Sequence, residues 1–353
     1  MNGYGIEVDI RNAQSTIRSL SKLQLLDDTR EFMRRDSHLV VPVKRELSRA
    51  ELDHLSKSAS EAKIIQATFP VSVRAPRDLL QAIGETVPSD VINRLPRSYD
   101  IVGDIGILEL DDDLQPFSKS IANGLMKLNP HLRLVVQKTD KTSGQYRIRG
   151  VEVISGVGST ETVHVEFSSK FHLDVMSVYF NPRLAYERMR IASQVKEGEV
   201  VVDMFAGVGP YSILIARKQR GALVFSVDLN PSAFKYLREN IFENKVADRV
   251  TPYLGDVREV ASNSPGIADR VIMNLPADSQ EFLGAASKLL KVNGGIVHFY
   301  CFASRGVELG YLSDAFRSGI EGYGRRVLSL TFLRIIREVG PNRVQVAIDA
   351  RIV

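Results

Sequence analysis

Apolar positions recur along the chain at two spacings, and their alternation divides it into three stretches. From residue 176 to 353, short apolar runs alternate with helical repeats. The run ending at Val201-Val202, and those over Leu223–Val227, Val250–Leu254 and Arg270–Met273, have the length of buried strands. Between them, Tyr211, Ile213, Leu214 and Ala216, then Phe234, Leu237 and Ile241, recur at helical spacing. Two last strands are expected over 327–337 and 343–352. This alternation predicts an α/β domain built on a doubly wound, largely parallel sheet.

Residues 66–175 mix strands and helices without that regular order, and an α+β middle domain is expected. Its strands are Tyr99–Leu110, Leu132–Val136, Tyr146–Ile154 and Val163–Asp174, and Phe117, Ile121, Leu125 and Leu128 mark one face of a helix. Residues 1–60 form a small unit: Ile17, Leu20 and Leu23 sit on a helix, Asp27-Asp28 is expected to cap a second, and Leu39–Val43 is a strand. A stretch rich in Ser, Ala, Glu and Lys over 50–65 reads as a linker, partly helical.

The chemistry concentrates where strands end. Asp203 closes the first strand of the C-terminal domain, and Phe205-Ala206-Gly207-Val208-Gly209 turns before Pro210 opens a helix. Glycine lets a ligand approach the backbone, and the helix start offers free N–H groups. A dinucleotide fingerprint needs a third glycine where this chain has Ser212. An acid before Gly-x-Gly instead resembles motif I of class I S-adenosylmethionine-dependent methyltransferases. Asp228 ends the second strand, 21 residues after Gly207, where an acid accepts hydrogen bonds from ribose hydroxyls. The third strand ends in Gly255-Asp256, where methyltransferases contact the adenine amino group, and the fourth runs into Asn274-Leu275-Pro276.

Composition narrows the setting. The chain has 353 residues, 44% of them hydrophobic and 25% charged, an ordinary globular balance. A single cysteine, Cys301, lies in an apolar run and is expected to be a buried, inert thiol; no disulfide framework or cysteine-rich zinc site is expected. Glu7 and Asp9 argue against a signal peptide, and no apolar run is long enough to cross a membrane, so a cytoplasmic protein without a membrane partner is expected. Seven arginines against three acids between Arg317 and Arg351 give an excess equal to the net charge of +4. Such an excess suits a polyanion.

The substrate is suggested by residues 178–190, VYFNPRLAYERMR, just upstream of the glycine turn. Read as a helix from Pro182, they place Arg183 and Glu187 on one face, beside Tyr179 and Phe180. An aromatic next to clustered charges fits a site that stacks a base and handles its proton. Tyr179-Phe180-Asn181-Pro182-Arg183, Glu187-Arg188, the turn from Asp203 to Gly209, Asp228, Asp256 and Asn274-Leu275-Pro276 together resemble the archaeal/eukaryotic tRNA (guanine-N1)-methyltransferase family. That family modifies position 37, beside the anticodon. Pro96–Ile105 resembles its middle domain, and Leu25–Asp28 with Val41-Pro42-Val43 its small first domain, so nearly the whole chain is covered.

The resemblance implies S-adenosylmethionine as cofactor and tRNA as partner, met at the anticodon loop and the tertiary core by a monomer. It implies Glu187 as general base, Arg147 as donor to guanine O6 (Arg149, on the same strand face, is the other candidate), Tyr179 to position the flipped base, and Asn274 and Pro276 to hold it. Asp203, Phe205, Gly207, Gly209, Asp228, Leu229, Asp256, Val257, Asn274 and Arg188 would hold the cofactor. The rival is a wybutosine-pathway relative that transfers the aminocarboxypropyl arm of the same cofactor; Asn-Leu-Pro and a separate first domain favour methyl transfer. Action on a tricyclic wyosine intermediate as well as on guanosine stays open.

Overall fold

A computed structural model describes residues 2–56, 62–70, 76, 78–83, 87–92, 94–96, 98–139 and 150–353. The chain divides into two compact units, Met1–Ala82 and Ile83–Val353.

In the first unit, antiparallel strands Asn2–Asp9, Met33–Arg35, His38–Val43 and Lys63–Thr68 form a sheet with Asn2–Asp9 between the last two. Helix Ala13–Lys22 buries Thr16 and Leu20, and Leu20 packs with Ile6, Val8, Val41 and Val43. Two expectations fail here. Asp27 caps no helix, because its carboxylate accepts from the Thr29 amide and hydroxyl (3.1 and 2.6 Å), closing a turn. The stretch expected as a partly helical linker opens with helix Arg49–Ser56, whose start is a reciprocal cap: Glu51 accepts from the Ser48 amide at 2.8 Å and its own amide donates to Ser48 Oγ at 3.4 Å. Because strand Lys63–Thr68 pairs with Asn2–Asp9, this unit runs past the boundary expected at residue 60.

In the second unit, strands Asp100–Val102, Ile105–Leu108, Leu134–Lys138 and Val151–Gly156 form a mixed sheet in that order, crossed by helix Ser118–Leu128. Two expected long strands prove to be hairpins. Tyr99–Leu110 folds back at Gly103, whose φ of +59° admits the turn. Val163–Asp174 belongs to the pair Glu161–Glu166 and Ser169–Asp174, joined by Phe167 and Ser168 at positive φ, a turn without the usual Gly or Asn signal.

The remaining chain builds one twisted sheet among the described residues. Its strands are β1 (Val200–Asp203), β2 (Leu223–Asp228), β3 (Val250–Leu254), β4 (Arg270–Met273), β5 (Gly295–Ser304), β6 (Val327–Gly340) and β7 (Arg343–Ile352), in the order β3-β2-β1-β4-β5-β7-β6. β1 to β5 are parallel, and β7 inserts antiparallel between β5 and β6. Successive residues face opposite sides, so Val201, Val224 and Ile272 join one core with Leu214 and Leu237, while Val202, Val227 and Val271 join the other with Leu289 and Phe316. The first core also contains Val102, Ile105, Leu134, Phe171 and Leu173. The expected boundary at 175/176 therefore separates no hydrophobic cores. The order of strands reverses between β1 and β4, the place where open α/β sheets bind ligands at their carboxyl ends.

Candidate active site

A cleft of about 320 Å³ opens at that switch point, within the roughly 300–1,000 Å³ usual for ligand pockets. Its walls come from five of the segments singled out in the sequence: Tyr179 and Arg188; Phe205 and Gly207; Asp228 and Leu229; Asp256 and Val257; and Asn274.

Local geometry explains the glycines. Gly207 has φ +55°, and a Cβ built on it would meet no protein atom nearer than the Tyr179 carbonyl at 3.8 Å, so the space above it is open to a ligand. Gly209, at φ +90°, precedes helix Pro210–Lys218, and a Cβ there would lie 2.6 Å from Leu237 Cδ1. It serves close packing rather than the ligand, and it does not line the cleft.

The strand-end acids divide by burial. Asp228 lines the cleft and accepts from the Gly207 amide at 2.6 Å and the Asn230 amide at 2.9 Å. Desolvation still raises its pKa above the usual carboxylate value. Asp203, expected to contact the cofactor, is fully buried beneath the turn and reaches no cleft surface. Its Oδ2 accepts from Ser212 Oγ at 2.8 Å, while Oδ1 has no hydrogen-bond partner. Burial, with Asp228's charge adding to it, pushes Asp203 up to about 7. The residue that replaces the dinucleotide glycine thus anchors the strand-end acid. Asp256 caps helix Val257–Asn263 through the Arg258 amide (2.8 Å) and pairs with the Arg258 guanidinium at 2.5 Å, which lowers its pKa. Phe205 meets Phe282 edge-on at 4.9 Å, an apolar wall that the sequence did not announce.

Around the opposite rim, Ser279 Oγ donates to the carbonyls of Met273 and Leu275, and the Phe302 amide donates to the Pro276 carbonyl, fixing the turn after β4. Asn274 Oδ1 accepts from Gln345 Nε2 at 3.4 Å, leaving its Nδ2 as the donor for a ligand. Pro276 itself is not among the cleft residues.

The segment 178–190 folds as a 3-10 turn, Pro182–Leu184, continued by helix Ala185–Ala192. Arg183 and Glu187 do not pair with each other. Arg183 bonds Asp100 at 2.5 Å, and Glu187 accepts from Arg190 on both oxygens (2.7 and 2.8 Å) and from the Tyr300 hydroxyl at 2.6 Å. Glu187 is not among the cleft-lining residues; its partner Tyr300 packs beside Tyr211, which lines the cleft, with ring centroids 6.3 Å apart. Arg188 lines the cleft, but its guanidinium is 2% exposed and committed to Glu166 (2.5 and 2.9 Å) and the Asn181 carbonyl (2.9 Å). That commitment makes it a support for the wall rather than an open ligand for the cofactor. Glu166 had no signal in the sequence, since its partner lies 22 residues away on another element. Arg147 and Arg149 lie outside the described residues.

Of the arginines after 316, Arg317 and Arg325 donate to backbone carbonyls and serve the fold, whereas Arg326, Arg334, Arg343 and Arg351 are exposed. Cys301 is buried, with its thiol pushed up to about 11 by burial, the inert state expected. No helix among the described residues is long and apolar enough to cross a membrane.

A fold of this order with acids at the tips of β1 to β3 describes methyltransferases in general; the comparisons with known proteins narrow it. Residues 162–317 match the TRM5/TYW2 methyltransferase domain, 77–160 the TYW2 N-terminal domain, and 5–51 the tRNA methyltransferase 5 N-terminal domain. The tRNA (guanine(37)-N(1))-methyltransferase Trm5b of Pyrococcus abyssi is 38% identical, over 98% of each chain. The chain belongs to the TRM5/TYW2 methyltransferase family. A crystal structure of Pyrococcus abyssi Trm5b superposes with a TM-score of 0.74, covering 99% of both chains at 36% identity. Another TRM5/TYW2 relative, aTrm5 in a complex with tRNALeu, superposes at 0.82, with 28% identity over 98% of this chain and 99% of that one. The tRNA(Phe) (4-demethylwyosine(37)-C(7)) aminocarboxypropyltransferase of Pyrococcus horikoshii is 32% identical over 77% of this chain and 95% of its own.

Proposed function

We propose that the protein is an S-adenosylmethionine-dependent tRNA (guanine(37)-N1)-methyltransferase. One observation carries the reading: Tyr179 and Asn274, the residues suited to a nucleobase, line the same cleft as Asp228 and Asp256, the residues suited to the cofactor's ribose and adenine. The whole-length similarity to a named guanine-37 methyltransferase, and the match of residues 5–51 to the N-terminal domain named for tRNA methyltransferase 5, favour methyl over aminocarboxypropyl transfer.

The residues present fit the cofactor. The open space over Gly207 and the part-exposed carboxylate of Asp228 suit a cationic nucleoside. Bound there, S-adenosylmethionine supplies an electrophilic methyl group. Asp228 accepts from the ribose hydroxyls with the lone pairs its two amide donors leave, and Asp256 with the Val257 backbone meets the adenine edge. The guanine leaves its stack to enter the cleft. Tyr179 positions it, and Asn274 Nδ2 holds its polar edge. Guanine N1 carries a proton at neutral pH, so Glu187 withdraws it as the methyl transfers, and Arg147 donates to O6, where negative charge develops. The exposed arginines of β6 and β7 meet the tRNA backbone. The first unit contacts the tRNA away from the anticodon, and a single chain suffices for the reaction. The test is Glu187→Gln: turnover with a tRNA transcript should fall by about a hundredfold or more while cofactor affinity holds, and unchanged turnover would remove Glu187 as the base.

A further inference from the structure

Glu187 is the near end of a continuous, largely buried chain of charged groups that the proposed reaction does not use. Arg190 grips Glu187 through Nε and Nη2 and reaches Asp349 on β7 through Nη1 (2.5 Å) and Nη2 (3.2 Å). Asp349, 1% exposed, also accepts from His298 Nδ1 at 2.7 Å and Gln194 Nε2 at 3.2 Å. His298, on β5, is fully buried, and its Nε2 lies 2.7 Å from Arg270 Nη1. Since a guanidinium can only donate, Nε2 accepts and the imidazole proton sits on Nδ1, facing Asp349. Arg270 is paired in turn with Glu199 at 2.9 Å.

We propose that Asp349, seated by His298, is the permanent counter-ion of Arg190, and that this lets Glu187 gain and lose a proton without leaving its place. The proposal rests on the reading of Glu187 as the base. With Arg190 as its sole charged neighbour, a gripped carboxylate would stay ionised and accept a proton poorly. Here two carboxylates share one guanidinium, so the trio carries one negative charge, and protonating Glu187 makes it neutral, the state a buried site favours. The donors decide which carboxylate changes. Those on Asp349 come from Arg190, His298 and Gln194, and the His298 proton is locked by Arg270. On Glu187, the Tyr300 hydroxyl can turn from donor to acceptor once the acid is protonated. Burial pushes Asp349 up, yet its bonds from His298 and Arg190 outweigh that and hold it well below the usual carboxylate range. In the step itself, the guanine N1–H bond breaks as Glu187 gains an O–H bond; the N1 pair forms the bond to the methyl carbon, and the carbon–sulfur pair returns to sulfur. The groups facing Glu187 are Arg190 on its own helix, Tyr300 from β5 and Tyr211 from helix Pro210–Lys218, with Asp349 one contact beyond.

Arg190, Asp349 and His298 are positioning residues, and single-turnover methyl transfer measured from pH 5 to 9 tests them. Asp349→Asn gives Arg190 wholly to Glu187 and weakens the base: the acid limb should move to lower pH and the plateau should fall roughly three- to tenfold, with cofactor affinity unchanged. Arg190→Gln, at a side chain 23% exposed, should move the limb the other way, and carries the test alone if the buried variant fails to fold. Limbs that coincide with wild type, or that move in the same direction, overturn the proposal. If Glu187→Gln is impaired while these limbs stay put, the charge balance fails and the base assignment survives; if Glu187→Gln turns over normally, the base reading fails first.

Discussion

Asp203 stores a pH-dependent instability that a single isosteric change should release. Its carboxyl is fully buried, one oxygen lacks a partner, and burial raises it from 3.8 to about 7. The folded chain thus holds this proton more tightly than the unfolded chain, so stability falls as pH rises from the unfolded value through the folded one. The shift is about three units, each worth about 1.4 kcal/mol, which sets an upper bound of about 4 kcal/mol above pH 7. Asp203→Asn keeps the bond to Ser212 and removes the titration. In cofactor-free protein, urea melts should show the variant gaining on wild type by up to about 3 kcal/mol between pH 5 and pH 8. Parallel stability profiles across that range would refute the assignment of a raised pKa to Asp203.

Other residues give independent tests. Asp228→Ala removes the carboxylate that the Gly207 and Asn230 amides orient; calorimetry should show cofactor affinity about ten- to a hundredfold weaker, and an unchanged dissociation constant would sink the ribose assignment. Removing the first unit, Met1–Ala82, should weaken the preference for intact tRNA over an anticodon stem-loop in competition assays; equal discrimination would make that unit a structural appendage.

The parts of the fold that were legible in the sequence are those written as short apolar runs ending in a polar residue. β1 to β4 and their terminal Asp203, Asp228, Gly255-Asp256 and Asn274 could be placed because the strands of a parallel sheet are largely apolar runs whose polar residues gather at the ligand end. Turns without glycine were not legible: Phe167-Ser168 joins two strands that read as one. Asp27 read as a helix cap because an Asx turn and an N-cap use the same side-chain bond. The partners of buried charges were hidden too, since Arg188–Glu166 and Arg190–Asp349 join residues far apart in sequence. Local spacing suggested Arg183 for Glu187, but Arg190, one turn later, faces inward and takes it.

Guanine-37 methylation is read out by incubating the protein with isotopically labelled S-adenosylmethionine and a tRNA transcript bearing guanosine at position 37, then mapping the product by mass spectrometry. A labelled methyl on N1 of that guanosine, absent when position 37 carries another base, is the predicted result. Transfer of the aminocarboxypropyl arm, or a methyl group at any other position, would contradict it.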